Sequence, residues 1–415
     1  MQDLRLAYDT LLNVYQNGAY ASLEISKNIE NAQNKAFYTN LVYGVIERDI
    51  EFNYYINSMC QKKPKNAIII VLKIGMYQIE YMDSIPAYAA VSKTVDLTKA
   101  IGKKENAGFV NAILKKFSNE KPALPKQNID RLSVEFSTPK FIVDEYIKTY
   151  GLDKTKVMLL KSSFDLEHFR VNKAKCSYDE LIKILKDKNE KYVESLDNAI
   201  YAKNDKTLQD LYSKGFVTVQ SKTSMMTCEK LAPKDGDKIL DLCSAPGGKS
   251  IYLSELANVE ITSCDIHPHR LDLIQSYINR MGAKGISLEL NDATKLNEKW
   301  LCHFDKVLCD VPCSGLGVQK KKPDIYLNMT KESIKDLPNI QYKILENASK
   351  YIKNDGEIVY STCTTLPQEN QNVVKKFLEN NKEFILVDEI QYLQDKDGQD
   401  GFYIAKLKRK QWSNF

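Results

Sequence analysis

One aspartate and two cysteines are the residues of this chain whose types and spacing best suit covalent chemistry. Asp310 and Cys313 belong to "DVPCSGLG", which directly follows the apolar run "FDKVLC", and Cys363 ends a second such run in "VYSTC". Proline cannot donate to a sheet and glycine permits a tight loop, so Asp310 and Cys313 are predicted at the carboxyl end of a buried strand. Since open α/β sheets bind ligands at the carboxyl ends of strands, the acid and both thiols are expected to face one pocket.

An acid beside two thiols suits methylation at carbon 5 of a pyrimidine. This carbon is a poor nucleophile, but a thiolate that adds at carbon 6 turns the ring into an enamine, whose carbon 5 can attack a sulfonium methyl group. A carboxyl group near N3 or the exocyclic amine would assist by hydrogen bonding or proton donation. Afterwards the carbon 5 proton must leave and the thiol must be expelled, which gives a second cysteine a use.

A glycine-rich turn lies in "DLCSAPGGKS", residues 241–250, between a predicted strand and a predicted helix. A phosphate-binding P-loop would need glycine five positions before Gly248, where Cys243 stands, and the dinucleotide pattern GxGxxG is missing. The turn offers close backbone approach at Gly247 and Gly248, with helix N–H groups open to an acceptor.

Aspartates end four consecutive predicted strands: Asp241, Asp265, Asp292 and Asp310. Asp265 follows Asp241 at the distance where an acid binds ribose hydroxyls in nucleotide-binding α/β folds, and Asp241 can bind an ammonium or ribose group. Each aspartate could alternatively cap a following helix. Together, beside a glycine-rich turn, they predict a cationic ligand that carries an adenosine, such as S-adenosylmethionine.

The remaining cysteines and histidines predict no further chemistry. Cys243, Cys264 and Cys309 lie in apolar segments that are predicted to be strands, so they are expected to be buried thiols of the core. His267 and His269 form an HxH pair without further ligands at metal-site spacing, so no metal is expected. The chain has nine cysteines and no CxxC pair, which fits reduced thiols in the cytoplasm better than a disulfide framework.

Composition and periodicity predict a multidomain cytoplasmic protein. The 415 residues are 43% apolar and 27% charged, with net charge +5 and no long apolar run. Residues 1–125 show helical spacing and predict an all-α bundle, residues 126–213 predict a small α/β domain, and residues 214–415 alternate strand and helix. The last segment predicts a parallel sheet with helices on both faces, as in Rossmann-like folds.

Several motifs resemble those of the NOL1/NOP2/Sun family of RNA (cytosine-5)-methyltransferases. They are "DLCSAPGGKS", "DVPCSGLGVQKKKPDI", "VYSTCTTLPQEN" and the closing "DGFYIAKLKR". Residues 1 to 117 resemble the NusB-type RNA-binding domain, and the middle segment matches the RRM-like domain of the bacterial members that act on 16S rRNA. The resemblance covers essentially the whole chain.

The resemblance implies a role for each site residue. Cys363 would be the nucleophile, Cys313 would help release the product, and Asp310 would contact the base. It also implies that the protein is a monomer and that its substrate is 16S rRNA. The residues implied to bind S-adenosylmethionine are Cys243, Ser244, Ala245, Pro246, Gly247, Gly248, Lys249, Asp265, Asp292 and Asp310.

This chain departs from the family pattern at a few positions. Ser221 replaces an acid that usually follows the glutamine, Thr364 replaces a serine, and the lysines of "QKKKP" stand where arginine is common. Lysine keeps the attraction to phosphate but loses bidentate geometry. Beside a catalytic loop, "QKKKP" is the basic cluster predicted to contact RNA.

Two alternatives remain open on the residues alone. The first is a methyltransferase of DNA or of an amine on the same sheet; DNA cytosine enzymes use the thiol of the Pro-Cys motif, which here is Cys313. The second is a non-enzymatic RNA-binding or transcription factor, which the helical segment alone would support. Failure to bind the cofactor would favour the second alternative.

Overall fold

The computed structural model describes residues 1–160, 166–196, 198–395 and 398–410. The chain divides into two compact units. The helical unit comprises Met1–Leu160 together with Gln319–Lys331, and the sheet unit comprises Lys161–Val318 together with Glu332–Phe415. The division into three domains, at residues 125/126 and 213/214, stays a prediction.

The helical unit is built around one central helix whose side chains are almost all buried. Its helices are α1 Gln2–Asn17, α2 Ala21–Asn28, α3 Lys35–Glu47, α4 Asp49–Met59, α5 Asn66–Tyr81, α6 Ala87–Ala100, α7 Ala107–Asn119, α8 Asn128–Glu135, α9 Lys140–Tyr150 and α10 Leu152–Leu159. Every residue of α5 from Ile68 to Gln78 is buried, as expected of a helix packed on all sides. A Cβ on its Gly75 would lie 2.6 Å from Leu114 Cδ1, so glycine lets α7 pack closely. The predicted helical segment is confirmed.

The segment Gln319–Lys331, which holds the basic "QKKKP", folds with the helical unit. Asp324 Oδ2 accepts a hydrogen bond of 3.1 Å from the Ala21 N–H at the start of α2, and Leu327 packs against the helical core. The sequence places this segment in the last domain by chain order. Its anchoring in the helical unit follows from tertiary contacts that no local pattern reveals.

A four-stranded antiparallel sheet opens the sheet unit. Its elements are β1 Glu167–Val171, α11 Tyr178–Asp187, β2 Tyr192–Glu194, β3 Ala199–Ala202, α12 Lys206–Ser213 and β4 Val217–Val219. The strand order β2-β3-β1-β4 and the βαββαβ succession are those of ferredoxin-like domains. The sequence groups β4 with the last domain, but β4 pairs with β1, because the chain reverses at Gly215 with φ of 74°.

A seven-stranded sheet forms the rest of this unit. Its elements are α13 Lys222–Leu231, β5 Lys238–Asp241, α14 Gly248–Leu256, β6 Glu260–Asp265, α15 Pro268–Met281, β7 Ile286–Leu290, β8 Phe304–Asp310, α16 Lys331–Lys335, α17 Leu337–Tyr351, β9 Ile352–Thr362, α18 Gln371–Asn380, β10 Phe384–Tyr392 and β11 Phe402–Arg409. The strand order is β10-β11-β9-β8-β5-β6-β7. Because the chain runs outward from β5 to β7 and returns to β8 beside β5, the topological switch point lies between β5 and β8.

The large sheet is mixed, whereas the sequence predicts a parallel one. Strands β5 to β9 pair in parallel, but β11 is antiparallel to both β9 and β10. Strand β10 is not among the predicted elements, although its alternating burial is typical of an edge strand. The Rossmann-like fold class is confirmed, with an antiparallel edge added to it.

No helix within the described residues is long and apolar enough to span a membrane.

Candidate active site

The glycine-rich turn connects β5 to α14 and is fixed to the neighbouring strand. Gly247 has φ of 103°, and a Cβ there would also lie 2.9 Å from Ile274 Cγ2, so only glycine fits. The backbone N–H and the hydroxyl of Ser244 both donate to the Cys264 carbonyl, at 2.8 and 2.9 Å. The turn thus holds the amino end of α14 at the switch point, where its N–H groups can bind an acceptor.

Asp241 is a fully buried carboxyl group at the end of β5. Ser250 Oγ donates to its Oδ2 at 2.6 Å, while its Oδ1 is buried without a hydrogen-bond partner of normal geometry. Burial raises the pKa of this carboxyl to about 7. An unpartnered buried acceptor beside the turn fits a ligand that brings a donor, such as an ammonium group.

Replacing Asp241 with asparagine is expected to stabilise the cofactor-free protein at pH 8 but not at pH 4. The pKa of Asp241 is about 7 in the folded protein, against the ordinary 3.8. Between these pH values the carboxyl group ionises in the unfolded chain but stays protonated in the folded one, so the free energy of unfolding falls as the pH rises. The asparagine variant avoids this cost of ionisation, but its buried amide nitrogen stays unpaired and offsets part of the gain. The free energy of unfolding at pH 8 should therefore rise by on the order of 2 kcal/mol. Urea denaturation at the two pH values measures it. Equal stability changes at both would contradict the expectation.

Asp265 is the last residue of β6, and Asp292 follows the end of β7 by two residues. Asp265 is buried, and its Oδ1 accepts from the His267 N–H at 3.0 Å. Asp292 accepts from the N–H and hydroxyl of Thr294, at 3.1 and 2.6 Å, and the hydroxyl bond lowers its pKa despite partial burial. Nearby, Asn291 Nδ2 is a buried donor without a partner. The edge therefore offers carboxylates and one unused donor to a ribose or base.

Asp310 ends β8 and receives two hydrogen bonds. Lys249 Nζ donates to its Oδ2 and Ser361 Oγ donates to its Oδ1, each at 2.7 Å. Burial disfavours the charged form of Lys249, but the attraction and hydrogen bond of Asp310 outweigh it and raise the lysine pKa. The sequence grouped Lys249 with the cofactor turn; its ammonium group in fact reaches Asp310. The bonds from Lys249 and Ser361 keep the Asp310 side chain oriented at the switch point.

The two predicted thiols lie together. Cys313 Sγ and Cys363 Sγ are 3.3 Å apart, and both side chains are partly exposed. The hydrogen bond to Cys363 and then burial raise the pKa of the Cys313 thiol well above its usual value. Cys313 is therefore held as a thiol at neutral pH, which suits a group that carries a proton.

A glycine contact fixes the spacing of the two cysteine loops. The Gly317 N–H donates to the Cys363 carbonyl at 2.9 Å, and the Gly401 N–H donates to the Gly317 carbonyl at 2.9 Å. A Cβ on Gly317 would lie 1.8 Å from the Gly401 carbonyl oxygen, so no other residue fits there. The loops after β8 and β9 are thus held in contact by their backbones.

The departures from the family pattern have local roles. Ser221 caps α13 by accepting from the Ser224 N–H at 3.3 Å. Thr364 Oγ1 lies 2.8 Å from Ser314 Oγ, so its hydroxyl connects the two cysteine loops as a serine would.

A buried arginine that the sequence did not single out supports the cofactor turn. Arg170 on β1 pairs with Glu255 and donates to Gln220 Oε1 at 2.6 Å, and Gln220 Nε2 in turn donates to the Gly248 carbonyl at 3.3 Å. In the sequence, Arg170 lies in "HFRVN", which predicts only a strand. The series of contacts from Glu255 through Arg170 and Gln220 to Gly248 is visible only in the structure. Of the three predicted core thiols, Cys264 and Cys309 are buried, with pKa values raised by burial, whereas Cys243 is only partly buried.

A Rossmann-like sheet with acids at the carboxyl ends of its strands, a glycine-rich turn and no P-loop defines an S-adenosylmethionine-dependent methyltransferase. Family models agree with both ends of the chain. Residues 228–408 match the 16S rRNA methyltransferase RsmB/F family, and residues 1–119 match the NusB family.

Curated relatives extend this match to the whole chain. The chain is 31% identical to the probable ribosomal RNA small subunit methyltransferase B of Bacillus subtilis, covering 98% of both chains. It is 28% identical to the ribosomal RNA small subunit methyltransferase B of Proteus mirabilis, covering 93% of both. The chain belongs to the 16S rRNA methyltransferase RsmB/F family, which confirms the resemblance seen in its motifs.

Solved structures share the fold. The crystal structure of PH0851 aligns with a TM-score of 0.84 at 21% identity, covering 98% of both chains. NSun6 from Pyrococcus horikoshii, crystallised with SFG, aligns with a TM-score of 0.59 at 23% identity, covering 65% of this chain and 98% of that one. The chain therefore shares its fold with a solved protein over nearly its whole length.

Proposed function

We propose that the protein methylates carbon 5 of a cytosine in 16S rRNA through a covalent bond between Cys363 and carbon 6. The observation that carries the proposal is the 3.3 Å separation of Cys313 Sγ and Cys363 Sγ beside Asp310. Methyl transfer to an amine or to a ribose hydroxyl needs no thiol. Carbon 5 of cytosine needs one nucleophile for activation and one group for the later elimination, and the site has two thiols.

Asp310 would contact the cytosine at N3 or its exocyclic amine. Lys249 and Ser361 occupy one side of each carboxylate oxygen, and each oxygen keeps a further lone pair for the base. The exocyclic amine can donate to this carboxylate, whereas contact at N3 requires a proton between the two acceptors, and such a proton favours electron flow into the ring when sulfur adds at carbon 6. Asp310 is thus assigned to orienting and polarising the base.

The reaction begins when the Cys363 thiolate forms a C–S bond to carbon 6 and leaves carbon 5 nucleophilic. Bound S-adenosylmethionine supplies the methyl group that carbon 5 takes. The carbon 5 proton then leaves to a base, and the ring electrons expel Cys363 as a thiolate. Cys313 lies beside Cys363, and its raised pKa keeps a proton on its sulfur, so it would assist this elimination by donating to the departing Cys363 sulfur.

The cofactor would bind along the carboxyl edge of β5, β6 and β7. Residues 243–249 would approach its amino-acid part, where Asp241 offers an unpartnered acceptor. Asp265 would bind the ribose, Asp292 and Asn291 would lie toward the base, and Asp310 would close the site. These assignments rest on the placement of each group at the switch point.

The lysines of "QKKKP" are assigned to rRNA phosphates, as is typical of basic clusters near a catalytic loop. The protein is assigned to act as a monomer in the cytoplasm, where rRNA is made.

Bisulfite sequencing tests the proposed function directly. The purified protein is incubated with S-adenosylmethionine and 16S rRNA from a strain that lacks the corresponding methyltransferase. One cytosine is expected to become resistant to deamination, because 5-methylcytosine reacts slowly. Methyl incorporation without a resistant cytosine would contradict methylation at carbon 5.

A further inference from the structure

A buried glutamate lies beneath the loop that carries Cys313. Glu369 follows Cys363 by six residues, and only 1% of it is exposed. Its Oε2 accepts from the Ser314 N–H at 2.8 Å and from Gln341 Nε2 at 2.9 Å. Burial raises the pKa of this carboxyl, opposed by the hydrogen bonds from Ser314.

The same contacts hold the loop on both sides of Cys313. Gln341 Nε2 also donates to the Pro312 carbonyl at 3.0 Å, so the residues before and after Cys313 are both bound through Glu369 and Gln341. Glu369 itself is fixed, because Tyr360 OH donates to its carbonyl at 2.6 Å. A carboxylate accepts more strongly than a neutral group, and this loop contains glycines that would otherwise leave it free to move.

We propose that Glu369 is a positioning residue that holds Cys313 against Cys363 for the release of methylated RNA. The inference rests on the proposed function and deepens it. The carboxylate touches neither the cytosine nor the sulfur atoms in this assignment. It acts by fixing the peptide groups around Cys313, and so keeps that thiol where the elimination needs it.

Covalent trapping separates this role from a general contribution to folding. Glu369→Ala is expected to form the bond through Cys363 but to release RNA slowly, so that at least tenfold more protein is covalently bound to RNA than in the wild type. Binding of S-adenosylmethionine should stay within twofold of wild type. Glu369→Gln keeps an acceptor oxygen and should restore most of the turnover.

Two further variants complete the test. Gln341→Ala removes the donor to the Pro312 carbonyl and one of the donors to Glu369 but leaves the buried carboxyl and its bond from Ser314 in place, so it should trap RNA even if Glu369→Ala folds poorly. Glu357→Ala is the matched control: Glu357 precedes Cys363 by six residues on β9 and pairs with Lys306 and Lys406 at 2.8 and 3.0 Å, away from the loop. This control should lose stability without trapping RNA.

The readout is a denaturing gel of full-length protein with labelled 16S rRNA, run beside Cys313→Ala. If Cys313→Ala traps RNA while Glu369→Ala and Gln341→Ala release it normally, the positioning role is wrong. Trapping by Glu357→Ala to the same extent would also overturn it. If Cys313→Ala itself traps no RNA, the proposed function fails and not this inference alone.

Discussion

Cys363→Ala is expected to abolish both methyl transfer and the covalent complex with RNA. Without sulfur addition at carbon 6, carbon 5 stays a poor nucleophile, so the rate of methylation should fall by at least about 10³-fold. Incorporation of labelled methyl groups into 16S rRNA measures the rate, and a denaturing gel measures the complex. Cofactor affinity should be unchanged, since Cys363 follows β9, away from the glycine-rich turn.

The control for this variant is Cys302→Ala. Cys302 is an exposed thiol in a loop before β8, so its removal should leave both readouts at wild-type levels. Substantial methylation by Cys363→Ala would contradict its assignment as nucleophile.

Cys313→Ala is expected to methylate once and then remain bonded to the RNA. Addition through Cys363 and methyl transfer do not require Cys313, but elimination does, so the thioether to the saturated ring persists. Methyl incorporation should stop at about one per protein molecule, and the complex should survive denaturing electrophoresis.

The opposite pattern would reverse the two roles. A stable complex from Cys363→Ala and none from Cys313→Ala would make Cys313 the nucleophile, as in the DNA cytosine enzymes. Normal multiple turnover by Cys313→Ala would remove it from the release step altogether.

Much of the fold could be predicted, because its elements have strong local periodicity. Strands β5, β6 and β8 are short, largely buried runs bounded by turn residues, and α15 and α17 are amphipathic. Strand β10 was missed, although its alternating burial is typical of an edge strand. The antiparallel direction of β11 was also missed, since direction depends on the path of the chain and not on local composition.

The placement of the proposed site residues could be predicted, but the residues that support them could not. Asp310, Cys313 and Cys363 stand at strand ends, and parallel strand ends meet at one edge. The hydrogen bonds from Lys249 to Asp310 and from the Ser314 N–H to Glu369 each join separate segments of the chain, and they depend on the directions in which the side chains point. Spacing along the chain carries no information about such directions.

The place of residues 319–331 shows a similar limit. The segment lies within the part of the sequence predicted to be the methyltransferase domain, yet Asp324 and Leu327 contact the helical unit. The hydrogen bond to the start of a helix and the apolar contact help to hold the segment there, and neither leaves a pattern in the sequence.

The measurement that tests the central claim most directly is peptide mapping of the complex formed by Cys313→Ala. After digestion with protease and ribonuclease, mass spectrometry identifies the cysteine that carries the nucleotide and the mass of that nucleotide. We predict a methylated cytidine attached to the peptide that contains Cys363. A nucleotide on any other cysteine, or the absence of any covalently bound nucleotide, would contradict the account.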